Sequence, residues 1–214
     1  MQASVTRPYS GSVQTTVRLT IAASGLGLSA LAALHLLSPE FNPTWRMVSE
    51  YALGHHRWLL SVMFVSMAAS SLALGWTLRP HLTARAGRIG LVILFISALG
   101  QALAAVFDVS QPLHGLAALL GIPTFPVAAL LITRSLTKGT ASSGAKQALW
   151  GAAHLTWISL ILMVLMMVTG LAHSGGQMGP GVLIGLPNRL LLVANAVWLI
   201  LAARQACPAT TRHP

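Results

Sequence analysis

Apolar positions in this chain do not alternate with polar ones. They run in unbroken blocks of about 20 residues, the length of helix that crosses a hydrocarbon core of about 30 Å. Six blocks stand out, near 17–37, 58–78, 88–107, 113–134, 148–171 and 184–203. Each must be helical, because an open sheet edge would leave backbone groups unpaired in lipid. The pattern therefore predicts an all-α, polytopic integral membrane protein with six transmembrane helices. Arg7 and Arg18 ahead of the first block would also suit a signal peptide. The length of the run, and the lack of a clean A-x-A site before Ser38, favour a helix that stays. The layout divides into a tail (1–16), a transmembrane domain (17–203) and a second tail (204–214).

Only 7% of residues are charged and 55% are hydrophobic, with a mean hydropathy of +0.73. A soluble domain carries roughly 25% charged residues, so lipid must cover this one. The charges that remain are partitioned. Thirteen Lys and Arg face three acids. Arg7, Arg18, Arg79, Arg85, Arg88, Arg134, Lys138, Lys146, Arg204 and Arg212 fall on one side of the layout. Glu40, Glu50 and Asp108 fall on the other, with Arg46, Arg57 and Arg189. By the positive-inside rule both termini are expected to be cytoplasmic, with the protein in a cell (inner) membrane. The basic residues are scattered singly, without the stripe a nucleic-acid binder needs, so no nucleic-acid partner is expected. One cysteine, Cys207, excludes an internal disulfide and a CxxC metal site.

Small residues that would let helices approach in lipid are Ala23/Gly27, Gly25/Ser29, Ser71/Gly75, Gly100/Ala104 and Ala117/Gly121. Pro123 and Pro126 remove backbone donors from the fourth block and predict a kink. Trp58, Trp76 and Trp150 stand at block ends, as interfacial anchors do.

The polar residues gather in the three loops on the acidic side. In the first, Asn42-Pro43 reads as a helix start, Trp45, Val48 and Ala52 recur at helical spacing, and Gly54 suits a stop. A short amphipathic helix over 43–53 is predicted, lying on the outer surface with Ser49 and Glu50 turned from its apolar face. The second loop is tight, and chain reach holds Asp108 and His114 within roughly 10 Å. The third is glycine-rich and leads to Arg189, a few residues inside the last block. An arginine there either snorkels to the headgroups or turns into the bundle toward an acid.

Three motifs occur in order: Asn42-Pro43 with Ser49-Glu-Tyr-Ala52, Phe107-Asp108 with His114-Gly115, and Gly185-Leu-Pro-Asn-Arg189-Leu190. With the six spans, they resemble the bacterial and archaeal membrane family catalogued as domain of unknown function 998, over about residues 18–203. The resemblance implies a prokaryotic membrane protein and no particular activity. Its characteristic positions point to Ser49, Asp108, His114 and Arg189.

Several functions fit these residues. A polar pocket at the extracytoplasmic face, built from Ser49, Glu50, Asp108, His114 and Arg189, would bind a membrane lipid headgroup, a small amphiphile or a partner membrane protein, with no cofactor required. A metal-dependent intramembrane hydrolase of a lipid amide or ester would use zinc on His35, His114 and His173 with Asp108 nearby. A haem carrier would use His114 and His173 as axial ligands. A small transporter would build its six spans from two repeats, although no self-similarity between halves is evident.

Overall fold

The computed structural model describes residues 11–138 and 142–206. Among them every regular element is helical: α1 (Gly11–Leu37), a 3-10 turn (Val48–Leu53), α2 (Arg57–Leu78), α3 (Arg85–Val106), α4 (His114–Gly121), α5 (Thr124–Leu136), α6 (Ser143–His173) and α7 (Gly185–Ala206). Six segments are long and apolar enough to cross a membrane, with α4 and α5 together making the fourth. Their limits lie within a few residues of the apolar blocks, though α1 begins six residues earlier than the block at 17. Arg7, Cys207 and Arg212 lie outside the described residues.

The chain passes back and forth, so its loops alternate between two ends. Glu40, Glu50 and Asp108 all lie at the end that carries the 3-10 turn, hereafter the acidic end. The turns between α2 and α3 and between α5 and α6 form the basic end.

Hydroxyls and small residues knit the bundle where oil-like surfaces give no drive to associate. Between α1 and α2, Ser24 and Ser70 share a hydrogen bond of 2.7 Å, Ser70 donates to the Thr20 carbonyl at 3.0 Å, and Thr77 donates to Thr16 at 2.7 Å. Gly27 lies in the same seam, where a Cβ would meet Met67 Sδ at 3.1 Å. Gly25 faces open space, so not every small-residue pair in the sequence is an interface. At the basic end of the core, Trp198 of α7 stands edge-on to Phe125 at 5.6 Å and donates to Thr133 Oγ1 at 2.9 Å. Trp58 and Trp76 remain exposed at the ends of α2, with the Arg79 guanidinium 5.7 Å from the Trp76 ring.

The fourth span breaks at Ile122-Pro123 rather than only bending. Neither Pro123 nor Pro126 has an N–H to donate, and side chains take up nearby carbonyls instead. Thr124 Oγ1 bonds the Leu120 carbonyl, Ser97 Oγ donates to the Gly121 carbonyl at 3.0 Å, and Trp157 Nε1 donates to the Pro126 carbonyl at 3.1 Å. The eight-residue α4 rests on α3, where Gly100 and Gly121 touch backbone to backbone. A Cβ on Gly100 would lie 2.3 Å from the Gly121 nitrogen. In contrast, α4 does not pack closely on α7.

The first acidic-end loop differs from the expected surface helix over 43–53. Only Val48–Leu53 is helical, as a tight 3-10 turn, and it is folded inward with Val48, Tyr51 and Ala52 buried. The Asn42 side chain caps its own loop, accepting from the Thr44 nitrogen at 3.0 Å and the Thr44 hydroxyl at 2.8 Å. That cap and the Arg46 N–H to the Asn42 carbonyl at 3.0 Å begin a single turn at Pro43, which does not continue as a helix. The apolar face then finds the bundle rather than the lipid surface.

Candidate functional site

The segment from Pro43 to Tyr51 forms a strap across the acidic end, and the first turn of α7 fastens it. Gly185 donates its N–H to the Thr44 carbonyl at 3.0 Å. Only glycine fits there, since a Cβ would sit 2.3 Å from the Pro43 oxygen. One turn later, Arg189 is buried, with 7% of its surface exposed. Its Nε donates to His35 Nε2 at 2.6 Å, and Nη1 donates to the carbonyls of Arg46 at 2.6 Å and Gly185 at 3.0 Å. Nη2 donates to the Tyr51 hydroxyl at 3.1 Å. A guanidinium has five N–H donors, and here one side chain ties α1, the strap and α7 together.

His35 completes the clamp. Its Nδ1 lies 2.6 Å from the Leu31 carbonyl, which can only accept, so Nδ1 carries the hydrogen and Nε2 is left to receive Arg189. Tyr51 is wedged between the rings of His35 and Phe41, edge-on to both, with centroids 5.8 and 5.2 Å away. Arg189 thus turns into the bundle as one sequence expectation had it, but meets no acid. Glu50 instead folds back on its own strap, accepting from the Met47 nitrogen at 2.8 Å and pairing with Arg46.

Beneath the strap lies a cavity of about 80 Å³, framed by α2, α3, α4 and α7 and roofed by Met47, Val48 and Ser49. Its walls are mostly apolar, among them Phe64, Met67, Ala117 and Leu191. Four polar side chains interrupt them: His114, Asn188, Gln101 and Asn195. His114 is steadied by its Nδ1, 2.9 Å from the Phe107 carbonyl, which makes Nε2 an acceptor. Asn188 is engaged, accepting from the Val48 nitrogen at 2.9 Å with Nδ2 3.5 Å from Met163 Sδ. Gln101 and Asn195 are different. Both are more than nine-tenths buried, yet Gln101 Oε1 and Asn195 Oδ1 have no hydrogen-bond partner. Asn195 lies ten residues along α7 from Gly185, a depth of about 15 Å at helical rise, near the middle of a hydrocarbon core of about 30 Å.

The residues singled out from the sequence are therefore divided. Ser49 and His114 line this cavity together. Ser49 is half-buried there, not turned out to solvent as a surface helix would have it. Arg189 sits beside the cavity as the clamp, and Glu50 braces the strap. Asp108 is elsewhere: it begins a turn in which its Oδ1 accepts from the Ser110 hydroxyl and from the Ser110 nitrogen at 2.9 Å. Those bonds, the hydroxyl's first, hold its carboxyl below the usual carboxylate range, with the Arg57 charge adding to them. Asp108 and His114 are not hydrogen-bonded to each other.

The zinc set proposed from the sequence is likewise scattered. His35 is occupied by Arg189 and Leu31, Asp108 by Ser110, and His173 is exposed with Nδ1 on the Thr169 carbonyl at 2.7 Å. Among the described residues no three His, Cys, Asp or Glu side chains gather as a metal site requires. What a search for ionisable groups misses is the amide pair Gln101 and Asn195. The signal for them is a carboxamide deep inside an apolar block.

The sequence profile of the family described as protein of unknown function (DUF998) matches residues 21–205, and the chain belongs to that family. No curated protein and no solved structure matches it.

Proposed function

We propose that this member of the DUF998 family is a binding protein whose cavity under the strap holds the polar end of a small, uncharged amphiphile. The observation that carries this reading is that Gln101 and Asn195, two residues lining an otherwise apolar space, each bury an amide oxygen that has no partner. A buried acceptor left unmade costs about 1–3 kcal/mol. A ligand offering O–H or N–H donors recovers that cost, and the apolar walls take its hydrocarbon part. No charged side chain lines the cavity, so a neutral alcohol or amide suits it better than a phosphate or a carboxylate.

The Arg189 clamp supports the ligand from behind the roof instead of binding it: Arg189 does not line the cavity, and four of its five N–H donors are committed to other acceptors. The membrane context follows from charge: the acidic end faces away from the cytoplasm of a prokaryotic inner membrane, and both termini lie inside. In a Cys207→Ser background, a membrane-impermeant thiol reagent should label Ser110→Cys in intact cells and leave Lys138→Cys unlabelled. Labelling of both from outside sinks this orientation.

The binding reading is tested by native mass spectrometry of gently extracted protein, followed by lipid analysis of what co-purifies. A neutral, hydroxyl- or amide-bearing amphiphile should be retained by the wild type and lost in the Gln101→Leu/Asn195→Leu double variant. A cavity that carries only water, or retention unchanged in that variant, overturns it.

A further inference from the structure

A second recess opens at the acidic end on the far side of Ala104, between the start of α2 and the end of α3. It encloses about 330 Å³. Ala52, Leu60 and Val106 give it an apolar floor, and Trp58, largely exposed, stands at its rim. Two opposite charges face it from different elements: Arg57 in the first turn of α2 and Asp108 just beyond α3. Among the described residues they do not form an ion pair, and Arg57 has no hydrogen-bond partner. The two are close enough that the cation stabilises the carboxylate, yet a gap separates them. Asp108 is held in place by the Ser110 turn and cannot swing across without losing both of those bonds.

A fixed anion and a free cation on opposite sides of an interfacial hollow complement a zwitterion. We propose that this recess binds a phosphatidylethanolamine-type phospholipid, its phosphate against the Arg57 guanidinium and its primary ammonium against the Asp108 carboxylate. Guanidinium and phosphate match as a fork and a tetrahedron of acceptors, and an ammonium supplies N–H donors to a carboxylate. A choline headgroup has no N–H to offer, and a glycerol headgroup has no charge for Asp108. The Trp58 ring sits where interfacial tryptophans lie among headgroups, and the floor receives the start of the acyl chains. This site is independent of the cavity under the strap, and neither stands or falls with the other.

The test uses delipidated full-length protein titrated with phosphatidylethanolamine, phosphatidylcholine and phosphatidylglycerol under native mass spectrometry. Exposed charge pairs are weak, so the ethanolamine lipid should be preferred by about two- to fivefold. Asp108→Asn keeps an Oδ1 that accepts from the Ser110 nitrogen, so the turn survives, while the preference over phosphatidylglycerol should vanish. Arg57→Gln, at an exposed position, should weaken all three phosphodiesters alike. Melting temperatures recorded in parallel should match the wild type for both variants. Equal binding of the three lipids by the wild type, or a preference that persists in Asp108→Asn, overturns the proposal. So does soluble phosphoethanolamine binding as tightly as the lipid.

Discussion

Two groups of buried polar side chains share the acidic half of the bundle, less than two turns apart along α7. Around Arg189 the polar groups are matched: a histidine, a phenol and two carbonyls each receive an N–H, although no carboxylate balances the charge. Around Gln101 and Asn195 the match is broken: both residues border the cavity, and each has a buried amide oxygen without a partner. A charge is costly to hold in lipid, and the Arg189 guanidinium is held there by bonds to α1, the strap and its own helix. A neutral amide is cheaper, and leaving it unmatched is tolerable where a guest completes it. The more conspicuous residue in the sequence thus holds the strap, and the quieter pair marks the space proposed to bind.

Removing the clamp should have the largest effect. Arg189→Leu strands the Arg46 carbonyl and the Tyr51 hydroxyl, and each stranded buried group costs about 1–3 kcal/mol. A loss on the order of 3 kcal/mol or more is expected in denaturant unfolding of detergent-solubilised protein. Arg189→Lys should rescue only part of it, since an ammonium cannot fork to four acceptors. A wild-type unfolding midpoint for Arg189→Leu would end the distinction drawn between the two groups.

Gly185→Ala attacks the same clamp through shape alone. Its Cβ would press on the Pro43 and Arg46 oxygens at 2.3 and 2.7 Å, forcing the strap away at a cost of about 1–3 kcal/mol. Faster hydrogen exchange at residues 44–51 is the readout. Exchange as slow as in the wild type would show that the strap is not seated on α7. Gln101→Leu should do least to stability, within about 1 kcal/mol of zero, because the long 3.4 Å bond it loses to Ser97 Oγ is offset by removing an unpartnered buried oxygen. A large destabilisation would place Gln101 with Arg189, as structure rather than as site.

Much of the architecture was legible in the order of apolar and polar residues. Block length sets span length, and the break at Pro123 follows from missing donors. Among the described residues the charge partition also carries through, because short loops leave Glu40, Glu50 and Asp108 no route to the other end. The strap was not legible. Trp45, Val48 and Ala52 carry helical spacing, and nothing local says that Val48 and Ala52 pack on α1 and α2 rather than on a headgroup layer. The partners of Arg189 were hidden for a related reason. Charge arithmetic looks for an acid, whereas carbonyls, a phenol and an imidazole acceptor serve as well once water is absent. Gln101 and Asn195 are visible as letters, but only a packed interior reveals which amide has been left without a partner.

The bonds of the clamp also span most of the chain. Arg189 reaches back 154 residues to His35, 143 to Arg46 and 138 to Tyr51. During synthesis the residues that fasten the strap leave the ribosome after the five other spans. Until then the strap has no anchor, the Tyr51 hydroxyl lacks its guanidinium, and the space below has neither roof nor fourth wall. Nascent chains halted before α7 should therefore be open at that end, and the cavity beneath the strap takes shape only once α7 packs against the earlier spans.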